Sequence, residues 1–215
     1  MANTRSAEEA NLFDWDFFLR QWSRDLLERL EDSKLASLPS EVIEARWLGY
    51  LPATDPEIEQ AQTRLNTRFP PSYRNFLTVS NGWQKLDALI GRLLSTQEIE
   101  WLAQTNQELI DAWKTGVAIG GGDFSIPDEA YFVYGDEQDT SLLRDEYIQT
   151  ALIIGGNPEQ GLILLNPQVT FEDGDWEAWL FANWLPGAAR YKSFRELMID
   201  MHSSLLELPK LRELP

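Results

Sequence analysis

Apolar residues recur along this chain at two periods, and the change from one to the other divides it. In residues 11–34, Leu12, Trp15, Leu19, Trp22 and Leu26 are spaced alternately by three and four, with Phe18 and Leu30 beside them. That spacing stacks side chains on one side of an α-helix and predicts an amphipathic helix with a broad apolar face. Its length and hydrophobicity favour docking on its own domain; the alternative is a dimer or partner surface. Leu38-Pro39-Ser40 then breaks the pattern, and residues 41–45 read as a short helical turn.

The stretch 46–83 is the most densely signposted. Thr54 and Glu57 form a T-x-x-E capping box with Pro56 in the first turn, and Ile58, Ala61 and Leu65 mark one helical face. Phe69 leads into Pro70-Pro71, which ends that helix and starts another. In the second helix Tyr73, Phe76 and Leu77 face inward, and Asn81-Gly82 reads as a left-handed C-cap. A further box, Ser95 to Glu98, predicts a helix with Ile99, Leu102, Leu109, Ile110 and Trp113 inward and Gly116 as its C-cap.

From Val117 the period shortens. Strands are predicted near 117–119, 130–134, 148–154, 162–165 and 176–182, with Gly155-Gly156-Asn157-Pro158 turning between the third and fourth. A last helix starts at Ser193, boxed by Glu196, and buries Phe194, Leu197, Met198, Met201 and Leu205. Helices, then a meander of strands, then a closing helix predict an α+β domain with a mostly antiparallel sheet of about five strands.

The 46–83 segment resembles the signature of the SUKH superfamily, the Smi/Knr-like domains of fungal cell-wall regulators and many bacterial immunity proteins. The matching positions are Leu65, Phe69, Pro70, Tyr73, Phe76, Leu77, Asn81 and Gly82. Phe69 replaces the usual Leu, and Asn66 stands where many members have Gly. A second block, 174–198, is similar to the C-terminal half of a bacterial branch through its W-E-A-W, A-N-W and Y-x-S-F elements, and 153–167 has the family's hairpin character. The resemblance runs in order from about Ala45 to Leu206. It implies a SUKH-like domain over 41–215, with 1–40 as an N-terminal helical extension.

Composition narrows the chemistry. The chain has 215 residues and no cysteine, which removes disulfides, thiolate catalysis and Cys-ligated metals together. The N-terminal residues lack the basic region and apolar run of a signal peptide, and no apolar stretch approaches the ~18 residues of a membrane span, so a cytoplasmic protein is expected. The net charge is −17, from 35 acids against 18 bases. Residues 121–180 contain 13 of the acids and a single base, Arg144, so that stretch carries −12. Such a field repels nucleic acid and anionic membranes and attracts basic proteins or cations, although acidic surfaces also serve solubility alone.

Catalytic constellations are thin. The single histidine, His202, shares its helix with Ser203 and Ser204, a poor geometry for activating a nucleophile, and reads as a surface or boundary residue. Gly120-Gly121-Gly122-Asp123 lacks the Lys-Ser/Thr of a phosphate loop and reads as a turn. The acidic runs 136–139 and 172–175 lack the twelve-residue spacing of a Ca²⁺ loop, and paired-carboxylate hydrolysis needs a cleft that sequence does not display. No cofactor or metal is expected.

The acidic runs read instead as contacts for a basic protein: Asp136, Glu137 and Asp139 in one, Glu172, Asp173 and Asp175 in the other. Trp176 and Trp179 sit at odd separation on a strand and point to opposite faces, which leaves one of them as a candidate exposed anchor. For the bacterial branch, the resemblance implies a non-catalytic immunity protein that masks a toxin, often a nuclease. For the fungal branch it implies a regulatory or scaffold module binding cellular proteins. Both predict a protein partner, and a toxin gene beside this one would separate them.

Overall fold

The computed structural model describes residues 13–30, 35, 38–85, 91–119 and 126–207, with backbone alone for 115–119. Its centre is a five-stranded antiparallel sheet: β1 (Glu100–Trp101), β2 (Leu152–Asn157), β3 (Gly161–Thr170), β4 (Trp176–Ala182) and β5 (Ala188–Tyr191), side by side in that order. β2 to β5 form a meander, with Leu164 opposite Trp179 and Leu162 opposite Phe181. The α+β architecture is the one the sequence predicts, and β4 has the predicted bounds.

Both faces of this sheet are covered. Leu152, Ile154, Ile163, Leu165, Trp176 and Ala178 belong to the larger core, and Ile153, Leu162, Leu164, Trp179 and Ala188 to a second one on the opposite face. That explains the unbroken run Leu162 to Leu165: a strand buried on both sides has no polar face to alternate with.

The larger core is roofed by helices. α1 (Trp15–Arg29) starts at Asp14, whose carboxylate accepts the Phe17 N–H, and buries Trp15, Leu19, Trp22, Leu26 and Leu27. Trp15 stacks on Phe194 and meets Phe76 edge-on, so α1 docks on its own chain. α2 (Ser40–Ala45) follows. α3 (Asp55–Leu65) has both bonds of the Thr54–Glu57 box and ends on Asn66 at φ +51°; Asn tolerates the left-handed region that the usual Gly would occupy. α4 (Pro71–Leu77) uses Pro70 as N-cap and Pro71 as first residue, and buries Tyr73, Phe76 and Leu77. In the closing helix α9 (Phe194–Glu207) the five residues predicted to be inward are all buried. His202 is buried there too, its Nε2 lying 2.8 Å from Asp25 of α1 and its ring against Phe18 and Trp22.

The second core is closed by 102–119 and 126–150, and here the structure departs from the predicted elements. Glu98 does accept from the Ser95 N–H and hydroxyl, yet no helix follows. The Arg64 guanidinium takes the carbonyls of Thr96 and Ile99, which a helix would need, and Glu100–Trp101 pair with β2. The helix begins only at α5 (Leu102–Thr105) and α6 (Gln107–Ile119). α6 runs through Gly116, so that residue is no C-cap, and it contains the predicted strand 117–119. The predicted strand 130–134 is instead α7 (Asp128–Tyr131) and a loop, because Pro127 and two acids start a helical turn and Tyr131 is drawn inward. A 3-10 turn (Gly135–Glu137) and α8 (Asp145–Ile148) follow, so Ile148 precedes the strand it was assigned to. The turn predicted at 120–123 lies outside the described residues.

Two glycine assignments also change. Gly155 and Gly156 lie within β2, not in its turn; a Cβ on Gly155 would come within 2.8 Å of the Arg92 carbonyl, so the bare backbone lets that segment approach. Gly82 has the predicted positive φ, +104°, but α4 has already ended, with Thr78 as its C-cap. Gly82 instead opens a row of isolated bridges, Gly49 to Trp83 to Leu93 to Gly155, that widens the sheet beyond β2. Asn81 secures it by accepting the Thr96 N–H at 2.7 Å.

At the far edge, the Gln138 side chain lies along β5. Its amide donates to the Arg190 carbonyl and its oxygen accepts the Arg190 N–H, both at 2.7 Å, while the Ala188 N–H donates to the Thr140 carbonyl at 3.0 Å.

Two substitutions check this architecture by thermal or denaturant unfolding. Phe76→Ala should cost about 3–5 kcal/mol through lost burial and a cavity among Trp15, Tyr73 and Phe194, and an unchanged melt would place Phe76 outside the core. Gly82→Ala should cost on the order of 1 kcal/mol or more, from the positive φ and the Leu93 carbonyl 3.0 Å from the new Cβ; full tolerance would argue against the bridge geometry.

Candidate functional site

The two acidic runs emerge on turns. Asp136 and Glu137 occupy the 3-10 turn, and Asp139 follows it; all three are exposed. Asp139 accepts from the N–H and hydroxyl of Ser141, which hold its carboxyl below the usual range. Glu172 and Asp173 are exposed on the β3–β4 turn. Between the runs, Tyr134 meets Phe171 edge-on with ring centroids 5.8 Å apart. The residues leading into the two turns are therefore neighbours, despite their distance in sequence. Lys192 also lies against the Tyr134 ring, so this region is not purely acidic.

The remaining three expected site residues are buried. Trp176 and Trp179 do point to opposite faces of β4, but each face has its own core, so both aromatics are buried. Asp175 turns inward and accepts the Ser72 N–H at 2.8 Å. Ser72 is in the first turn of α4, where backbone donors lack intrahelical partners and a carboxylate is favoured. Burial is the main influence on Asp175 and raises its pKa, with the bond from Ser72 acting against it. Its role is to fasten the second motif block to the first.

An aromatic does reach solvent at the other end of β4, away from Glu172 and Asp173. Trp184 is 48% exposed on the β4–β5 turn. That turn is fixed from both sides: Asn183 donates to the carbonyls of Gln160 and Glu159, and Ala188 to that of Thr140, just after Asp139. Asn183, Pro186 and Gly187 around Trp184 are turn-forming residues, and they were the sequence signal for an exposed position.

Beneath the surface lies a polar network that sequence reading missed. Glu177 of β4 is buried and accepts four hydrogen bonds, from the hydroxyls of Tyr131 and Tyr134 at 2.8 Å, Asn166 Nδ2 at 2.9 Å and Trp179 Nε1 at 2.7 Å. Buried Arg190 of β5 lies 4.2 Å from the Tyr131 ring centroid and donates to the Tyr131 carbonyl. Burial, followed by the nearby Glu177 charge, pushes both phenols well above the ordinary tyrosine range. Glu177 is the Glu of W-E-A-W: even on a two-sided buried strand, its odd-numbered position assigns it to the Trp179 face. Among the described residues, no three acidic or histidine side chains converge as a metal site would need.

The motif blocks, the antiparallel sheet and the capped helix pair together define a known class of domain. The chain belongs to the SMI1 / KNR4 family (SUKH-1), whose family model matches residues 52–200. α1 lies before the matched region. No curated protein matches the chain.

Asp175 provides a test of this geometry. A carboxyl whose folded pKa is raised contributes stability below its unfolded pKa and loses it as pH rises through the folded value. Asp175→Asn keeps an acceptor for Ser72 without a buried charge, so its stability relative to the parent should rise between about pH 4 and neutrality. Asp175→Lys should cost about 3–5 kcal/mol by burying an unpaired charge. Equal pH profiles for parent and Asn variant, or a stable Lys variant, would contradict the buried position.

Proposed function

We propose that this chain is a non-catalytic immunity protein that neutralises a basic toxin domain, such as a nuclease, by covering its cationic cleft. The observation that carries this reading is the set of exposed carboxylates Asp136, Glu137, Asp139, Glu172 and Asp173 on two turns whose approaches meet at the Tyr134–Phe171 contact. A nuclease that grips phosphates presents basic groups, and an acidic surface raises its rate of encounter and opposes the same groups once docked. Trp184 replaces Trp176 and Trp179 as the aromatic anchor, because its turn is already fixed and little freedom is lost when a partner packs on it. It lies at the far end of β4 from Glu172 and Asp173 but next to the segment that follows Asp139. A cytoplasmic site of action fits this role, and no helix among the described residues is long and apolar enough to cross a membrane.

The test uses a toxin domain encoded beside the gene and measures association and dissociation rates at several salt concentrations. Reversing Asp136, Glu137, Glu172 and Asp173 to Lys should slow association about tenfold at low salt and flatten its salt dependence. Trp184→Ala should speed dissociation about tenfold with little change in the melt. Unchanged binding by the folded charge-reversal variant would end the proposal. A cellular protein bound in place of any toxin would favour the regulatory role.

A further inference from the structure

We propose that Glu177, acting with Arg190, is the positioning residue for the acidic turn at 135–139, and this rests on the reading that the turn meets a protein partner. No residue from 135 to 139 is buried, so the hydrophobic effect does not hold that turn in place. Its ends are held by hydrogen bonds instead. On the leading side, the Tyr134 hydroxyl donates to Glu177 Oε1, and the Tyr131 hydroxyl, one helical turn earlier, donates to Oε2. On the trailing side, Gln138 exchanges two hydrogen bonds with the Arg190 backbone, and the Arg190 guanidinium is 3.5 Å from the Asp139 carbonyl. Adjacent strands β4 and β5 thus each grip one end.

The energetics separate positioning from plain stability. A buried carboxylate is costly to desolvate, and Glu177 is satisfied by four uncharged donors instead of an ion pair. Arg190 Nε is buried with no partner. Removing the carboxylate alone strands its four donors, whereas apolar side chains that replace such a set together often fill the space at no loss of stability. What they do not supply is direction. Two phenols converging on the two oxygens of one carboxylate fix where Tyr131 and Tyr134 end, and hence where the backbone enters the turn.

The experiment compares Tyr134→Phe, Glu177→Gln and Glu177→Leu by amide hydrogen exchange, thermal melting and titration with an oligoarginine peptide. Tyr134→Phe keeps the ring on Phe171 and removes only the outer tie. Exchange over 135–139 should rise about tenfold while the sheet amides and the melt stay near parental values. Glu177→Gln keeps one carbonyl oxygen and should give a partial effect, with Glu177→Leu the largest. Adding Tyr134→Phe to Glu177→Leu should add nothing, since both break the same tie. The exposed acids of both turns remain in these variants, so peptide affinity should fall severalfold with its salt dependence little changed. Unchanged exchange over 135–139 in Tyr134→Phe and Glu177→Leu would overturn the proposal, as would a uniform rise across the whole chain in Tyr134→Phe, which would make the tie to Glu177 a general stability contact. If exchange rises locally but the parent does not bind the peptide through this turn, the positioning role stands and the acidic-surface reading fails.

Discussion

Covering the central strands on both faces is the constraint from which the rest of the architecture follows. Residues 161–166 of β3 and 176–179 of β4 leave no side for solvated residues, so every side chain there needs a neighbour above or below. Apolar residues meet that demand by packing. A polar one meets it only by finding hydrogen-bond partners in the covering layer. Glu177 is the extreme case: its four donors come from β4 itself, the adjoining β3, and the segment laid across the sheet. The layer at 126–150 is therefore both the lid of the second core and the source of the groups its carboxylate requires.

On the opposite face, helices from the two ends of the chain meet. Trp15 of α1, Tyr73 and Phe76 of α4, and Phe194 of α9 form one aromatic junction, and Asp175 ties the start of α4 to the turn before β4. The two sequence blocks that carry the family resemblance are thus one structural unit. α1 lies before the family-matched residues and still inserts Trp15, Leu19 and Trp22 into that core.

Features governed by local chemistry were legible in the sequence. The Thr54–Glu57 box, Pro70-Pro71 and the inward face of α9 each depend on residues a few positions apart. The errors came where distant groups intervene. The box at Ser95 makes its local bonds, but Arg64 claims the carbonyls that would have carried the helix on. Tyr131 and Tyr134 look like strand residues because they are aromatic, and are placed by a carboxylate many residues later. For the site, the exposed acids of both turns followed from their turn-forming neighbours. The expectation that one of Trp176 and Trp179 is exposed did not hold, because strand periodicity fixes opposite directions but not whether the second face is covered. Asp175 looked like one more surface acid until the end of α4 came into view.

The Gln138 side chain along β5 has a consequence for how this molecule meets other proteins. The outer edge of a sheet is a template on which another chain can extend it by one strand, and some peptide-binding domains recognise ligands that way. Here the Arg190 N–H and carbonyl are already matched by one amide side chain, and the Ala188 N–H by Thr140. A partner arriving at this end finds no free row of backbone groups to join. Recognition there must be written in side chains, which can discriminate among partners where a shared backbone ladder could not.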